Sequence, residues 1–362
     1  MKTKIISGAL ILLFVTLFLY SNFKNNYALI ELDKFDNNYI KQGKEILSID
    51  QSCPVHINII DTLFIFRTQN DCNKQYFHIY KYPEFRHILS FGDHGNGPNE
   101  FFEGELTYSC GDRMIDNSIW LEDMNHKKFK KANLSNGIVL NTLIFPKEIG
   151  MPENVSIIDN KFLIGYCISK YLGSFFLYDL NTKKLKVNYN IPKLRNLAND
   201  QKKIIPYKNT LKINNDCSKI VIAYDFFGQI DIFNIDLEKV KSIKINHKAK
   251  DINWNNRDIY EIPESAWHYF SDLQLTDNYI FALYNNYQMN WSEEKLLTYR
   301  SILIKFNWNG EVISKYILPE RIDKFVIDDS QSKIIAILSS GEDHPFHIYD
   351  INSSLTDIDQ SK

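Results

Sequence analysis

Two dipeptides place a carboxylate beside an imidazole, Asp93-His94 and Asp343-His344. Such a pair can ligate a metal through the imidazole, or serve as an acid/base couple in the pH range where histidine titrates. Aromatic and charged residues mark the long polar stretches of the second half: Trp254, Arg257, Trp267, His268, Tyr287 and Trp291. Exposed Trp and Tyr offer a flat apolar face with a polar edge, which suits sugar rings, apolar ligands or a protein partner. Five cysteines (Cys53, Cys72, Cys110, Cys167 and Cys217) contain no C-x-x-C pair, a spacing that argues against structural zinc. No G-x-S-x-G nucleophile turn occurs, and neither does a repeated S-x-D-x-G-x-x-W turn. The sequence therefore points to no cofactor and assigns no catalytic residue.

The elements that must position these residues recur along the chain. A polar turn residue followed by an apolar strand appears at Thr62–Phe66, Ser118–Leu121, Lys161–Ile164, Lys219–Ile222, Tyr279–Leu283 and Lys333–Ile337. Each copy is followed by a second strand, usually closing on an aromatic and then Asp or Asn, as in Phe176-Leu177-Tyr178-Asp179 and Asp231-Ile232-Phe233-Asn234. A turn and a third strand come next, with Asn309-Gly310 supplying the positive φ of a tight hairpin. Six such units, about 43–60 residues apart, predict an all-β, six-bladed β-propeller over residues 43–352. The last unit lacks an outer strand, whereas Glu45–Asp50 is a strand without a blade. The N-terminal strand is therefore expected to complete blade six and close the ring, removing an exposed edge.

Outside the repeats, Lys2 and Lys4 precede an apolar run from Ile5 to Tyr20. As a helix it would span about 24 Å, slightly less than a bilayer core of about 30 Å. No small-residue cleavage site and no lipidation cysteine follow it. Residues 1–20 are thus expected to be an uncleaved anchor or signal, with the basic end cytoplasmic and the rest exported. Secretion after cleavage is the alternative. Residues 21–42 are expected to be a tether, and 353–362 a polar tail.

Between blades one and two, Phe91-Gly92-Asp93-His94-Gly95-Asn96-Gly97-Pro98-Asn99-Glu100-Phe101 resembles the FG-x-x-G-x-G-P-G-E-F stretch of the TolB-like six-bladed propeller proteins of Bacteroidetes. The resemblance implies an exported, often lipid-anchored propeller and implies no chemistry. Asn99 stands where the family pattern has glycine, a mild change because Asn tolerates left-handed backbone. On its own residues the stretch is a compact inter-blade turn. Its glycine spacing and the absence of a following helix exclude a dinucleotide fingerprint.

Propeller geometry makes two further predictions. Cys53 begins an inner strand and Cys72 follows the strand that returns to the same face, so the two can pair in an exported compartment. The other three cysteines are expected to behave as small buried hydrophobes. The loops 91–104, 189–208, 251–270 and 285–299 emerge on one face. That face collects Asp93, His94, Trp254, Arg257, Trp267, His268, Tyr287, Trp291 and His344 as candidate ligand-binding residues.

The chain has 362 residues, and 42 Lys+Arg against 44 Asp+Glu leave a net charge of −2, so it has no basic excess with which to hold nucleic acid. The expected function is a non-enzymatic, membrane-tethered, extracytoplasmic module. It would bind a protein, peptide or glycan through the long-loop face. The alternative is a metal-dependent hydrolase or lyase at the central channel, with His94 and His344 as ligands.

Overall fold

The computed structural model describes residues 27–49, 53–69, 72–107, 109–110, 117–150, 152–167, 174–189, 192, 208–245, 262–330, 332–339, 345–353 and 355–356. Three short strands come first: β1 (Tyr27–Ile30), β2 (Asn37–Tyr39) and β3 (Lys44–Glu45). Blade one follows as β4 (Pro54–Ile60), β5 (Leu63–Thr68), β6 (Gln75–Lys81) and β7 (Arg86–Asp93). Blade two comprises β8 (Gly104–Leu106), β10 (Ser118–Asp123), β11 (Lys128–Asn133) and β12 (Val139–Ile144). The two-residue β9 (Ser109–Cys110) leaves that blade to pair in parallel with the inner strand of the next. Blade three is β13 (Pro152–Ile158), β14 (Phe162–Cys167), β15 (Ser174–Asp179) and β16 (Leu185–Asn188). Blade four is β17 (Asn209–Ile213), β18 (Lys219–Tyr224), β19 (Gln229–Asn234) and β20 (Lys239–Ile245).

Blade five is β21 (Trp267–Leu275), β22 (Tyr279–Gln288), β23 (Ile302–Asn307) and β24 (Val312–Ile317), with a short helix α1 (Glu293–Leu297) in its wide loop. Blade six has β25 (Ile322–Asp328), β26 (Lys333–Leu338) and β27 (Phe346–Asp350), and β3 lies beside β27 as its fourth strand. The repeated phrase of the sequence is the second strand of each blade, one step out from the axis.

A blade is sandwiched between two others, so its middle strands meet apolar surface on both faces. All six residues of β10 are buried, whereas the outer β12 has only half-buried and exposed positions. Six hydrophobic clusters result, one at each blade junction. The cluster between blades six and one holds Ile49, Phe64, Phe66, Val326, Ile335 and Phe346. Each fully buried side chain of this size contributes about 1.5–3 kcal/mol, so six such seams outweigh the small stabilisation of any single turn.

The aromatic-then-Asp/Asn phrase has a local cause. The Asn307 side chain accepts from the backbone N–H groups of Asn309 and Glu311, at 3.0 Å each. Asp179 accepts from Asn181 and Thr182, and Asp350 from Asn352. The aromatic anchors the strand in a seam, and the short polar side chain braces the turn that follows.

The structure differs from three expectations. The stretch expected to be a free tether contains β1, which pairs in parallel with β20 of blade four, and β2, which pairs in parallel with β24 of blade five. The edges of those blades offer unpaired backbone that an extended segment satisfies. The expected polar tail contains β28 (Leu355–Thr356), paired with β2. The strand expected over 45–50 is the shorter β3, followed by a backbone bond from Ile46 N–H to Phe346 O. Residues 1–20 lie outside the described residues, and among those described no helix is long and apolar enough to cross a membrane.

The cysteines require a further correction. Cys53 and Cys72 are joined by a disulfide, with Cα atoms 6.2 Å apart. Cys110 and Cys217, expected to be isolated buried groups, also form one, with a Cα separation of 5.6 Å. Strand β9 carries Cys110 along β13 to the face of the first-to-second-strand turns, the narrow-turn face, where the β17–β18 turn presents Cys217. Only Cys167 is free, and it is buried.

Candidate functional site at the mouth of the central channel

The second-to-third-strand loops and the inter-blade links share one face of the ring. The glycine-rich stretch lies there as a self-braced turn. The Glu100 carboxylate accepts from Gly97 N–H at 2.8 Å and lies directly under Gly95. A Cβ on Gly97 would come within 2.9 Å of Glu100 Cδ, which explains glycine at that position. Lys130 donates to the Glu100 carbonyl from below. Within this turn Asp93 is exposed, and its carbonyl accepts from Phe101 N–H. His94 bonds through Nδ1 with the Tyr76 hydroxyl at 3.0 Å, their rings 4.3 Å apart. The partner histidine expected for it, His344, and Asp343 lie outside the described residues, as do Trp254 and Arg257. No group of three His, Cys, Asp or Glu among the described residues has the geometry to hold a metal ion.

The remaining four candidates come together on blade five. Trp267 and His268 open β21, opposite Gln288 and Tyr287 of β22. His268 Nδ1 lies 2.9 Å from the Tyr287 hydroxyl, and the His268 ring packs against Phe226. Tyr287 packs on Trp291 and Tyr299, while Lys295 lies 3.6 Å over the Trp291 ring. Burial, reinforced by the charges of Lys208, Arg321 and Lys324, lowers the His268 pKa to about 4. His268 is therefore neutral at physiological pH, and Asp225 at 3.9 Å faces an uncharged ring. These aromatics form a braced wall beside the channel, with Trp267 and Trp291 partly exposed.

The deeper site is at the axis. Below the loop face lies a cavity of about 440 Å³ to which all six blades contribute. His56 enters from β4, Glu105 from β8, Glu153 from β13, Thr210 from β17, Asp272 from β21 and Lys324 from β25. A second cavity of about 290 Å³ opens towards the narrow-turn face, lined in part by Asn58, Lys212 and Gln274. Lys212 lies 3.8 Å from Asp272, where the two cavities approach each other.

The carboxylates of the upper cavity differ in their partners. Glu105 accepts from His56 at 2.8 Å and pairs with Arg67 Nη2 at 3.0 Å, while Arg67 Nε donates to Gly104 O. Burial pushes Glu105 up, but the His56 bond and the charges of His56, Arg67 and Lys324 outweigh it and hold the carboxyl below its usual range. Asp272 accepts from Phe325 N–H and lies 3.9 Å from Lys324. Asp225, raised to about 6 mainly by burial, has Lys208 at 3.7 Å.

Glu122 and Glu153 have no hydrogen-bond or ion-pair partner among the described residues. Glu122 is 6% exposed, and its Oε1 is buried without a hydrogen bond. Burial, then the fields of Glu105, Glu153 and Glu103, raises it to about 8. Burial also raises Glu153, against the opposing pull of Lys208. Across the channel the Ser271 hydroxyl is likewise buried without a partner.

Sequence reasoning missed this cluster, although its signal is present. At the fifth position of the second strand the six blades carry Arg67, Glu122, Tyr166, Ala223, Leu283 and Ile337. Only blades one and two place a charge there, inside an otherwise apolar phrase.

The family described as TolB-like 6-blade propeller-like matches residues 33–330. A protein from Bacteroides fragilis that is named as an exported one superposes with a TM-score of 0.57 at 12% identity, covering 89% of this chain and 97% of that one. A member of the duf4221 family from Bacteroides vulgatus gives 0.54 at 12% identity, covering 87% and 94%. Among curated proteins none matches. At these identities the likeness is one of fold.

Proposed function

This chain belongs to the TolB-like six-blade propeller family, and from that premise we propose that it is an extracytoplasmic, non-enzymatic binding module. It takes its protein, peptide or glycan ligand at the loop face, over the mouth of the central channel. The observation that carries this reading is the cavity of about 440 Å³ lined from all six blades, with two buried polar atoms left without partners on its wall. Ligand sites in rigid folds are concave, with a few convergent polar groups, and an unmet buried polar group costs stability unless something else satisfies it. The exported neighbour from Bacteroides fragilis supports the compartment, as does the disulfide pair, since such bonds persist in oxidising surroundings.

In the same reading, β3 closes the ring and residues 1–20 anchor the chain. Strand β1 runs parallel to β20, from Tyr27 opposite Ser242 to Ile30 opposite Ile245, so the chain enters from the narrow-turn side. An anchor preceding it would leave the channel mouth turned away from the membrane. Among the described residues, the donor arrangement around His94 adds nothing to the metal-dependent alternative.

The test is a glycan and peptide array probed with the full chain. Binding lost in Ser271→Trp, which fills the cavity, and kept in Leu140→Asp on the outer rim supports the reading. A ligand held equally by both variants places the site elsewhere.

A further inference from the structure

Within that reading, we propose that Glu122 and Glu153 form a receptor for one primary ammonium group, such as the tip of a lysine side chain entering the channel mouth. Four observations support this. First, the two carboxyls come from adjacent blades, line one cavity, and have no hydrogen-bond or ion-pair partner among the described residues. Second, the other acids of the cavity are occupied: Glu105 by Arg67 and His56, Asp272 by Lys324 and Phe325 N–H, and Asp225 by Lys208.

Third, Leu106, Met124 and Val155 line the wall on the same two blades, an apolar surface suited to a tetramethylene stem below a charged head. Fourth, no three-donor metal geometry exists among the described residues. A compact ammonium needs only two or three acceptors.

Without ligand, burial keeps a proton on Glu122, which is pushed up to about 8, with Glu103, Glu105 and Glu153 adding to the shift. Burial raises Glu153 as well, against the smaller opposing pull of Lys208. Of the other charged groups lining the cavity, His56, Lys324, Asp225 and Asp272 are engaged as described. An arriving ammonium stabilises the carboxylate form, so Glu122 releases its proton to solvent as the ion pair forms. Binding is therefore coupled to proton loss, and affinity rises as pH approaches the value at which Glu122 ionises unaided.

The experiment is calorimetric titration of the full chain with Nα-acetyl-lysine methylamide, putrescine and the Nε-acetylated lysine analogue. Measurements run at pH 6, 7 and 8 in buffers of different ionisation enthalpy. The expected result is saturable binding of one or both amines with release of roughly one proton at pH 7. Affinity should rise roughly tenfold from pH 6 to 7, and the acetylated analogue should bind at least tenfold more weakly. Whichever amine binds more tightly identifies the source as a peptide side chain or a free polyamine.

Glu122→Gln should remove most of the affinity and flatten the pH dependence. Glu153→Gln provides the same readout should the first variant fail to fold. Equal binding of the acetylated analogue, pH-independent binding, or no binding of either amine would overturn the proposal. Should the amines fail while Ser271→Trp still abolishes an array ligand, the ammonium assignment falls and the channel-mouth reading stands. Should neither amines nor any array ligand depend on the mouth, both fall.

Discussion

Blades four and two each bury a carboxylate, and the two are treated in opposite ways. Asp231 in β19 is completely inaccessible, and four side chains converge on it: Gln229, Lys239 and Ser242 donate at close range, and the Tyr224 hydroxyl at 3.1 Å. Glu122 in β10 is almost as buried, yet one of its oxygens accepts nothing. A carboxylate with that many donors is an internal strut, stabilised wherever it is ionised. One without them is held at a cost. The contrast separates the part of the fold that maintains itself from the part that is complete only when something else arrives.

The largest effect should come from removing the strut. Asp231→Ala strands the Lys239 ammonium, Ser242 and Gln229 together, and urea denaturation should show a loss of about 4 kcal/mol. A loss below about 1 kcal/mol would abolish the distinction between the two carboxylates.

Glu122→Gln should behave in the reverse sense. Its folded-state pKa, about 8, lies above the unfolded value of 4.5. The native state therefore holds a proton that the unfolded chain has released, and wild-type stability falls as pH rises from about 4.5 to 8. The Gln variant should match the wild type near pH 4 and exceed it by about 4 kcal/mol at pH 8. Parallel stability curves would show that Glu122 is satisfied after all.

A smaller effect should sharpen the contrast within the channel itself. Arg67→Met leaves Glu105 with His56 alone, at an expected loss of about 2 kcal/mol near neutral pH. Because Glu105 is held below its usual range, that loss should shrink as acid protonates the carboxyl in both proteins. A deficit unchanged down to pH 3 would assign the effect to lost packing of the arginine stem.

Much of the fold is legible in the sequence. The strand phrase ending on an aromatic and Asp or Asn marks the hairpins after Asp179 and Asn307 and the chain turn after Asp350, because the turn chemistry is local. The glycine-rich stretch was readable as a turn for the same reason, since Gly97 and Glu100 are three residues apart. The channel site was not legible from local pattern alone. Glu122 and Glu153 are on different blades, and although Glu122 stands out as a charge inside the repeated strand phrase, nothing in the sequence joins it to Glu153.

The loop face was only partly informative. His268, Tyr287 and Trp291 do meet, but only through the β21–β22 pairing and its wide loop, whereas Trp267 packs against the seam of blades four and five. His94 bonds instead to Tyr76, a neighbour that the spacing of Asp-His pairs could not indicate. Cys110 and Cys217, 107 residues apart, were misread because β9 crosses to the next blade. A two-residue strand leaves almost no pattern in a sequence.

By itself the sequence determined the strands, their six-fold repetition and the residues that turn them, since period-two alternation and turn propensities act over a few neighbours. Tertiary structure alone decided which carboxylates are paired and which stand alone at the axis. That depends on burial and on the distance to charges from five other blades, and both exist only once the ring has assembled.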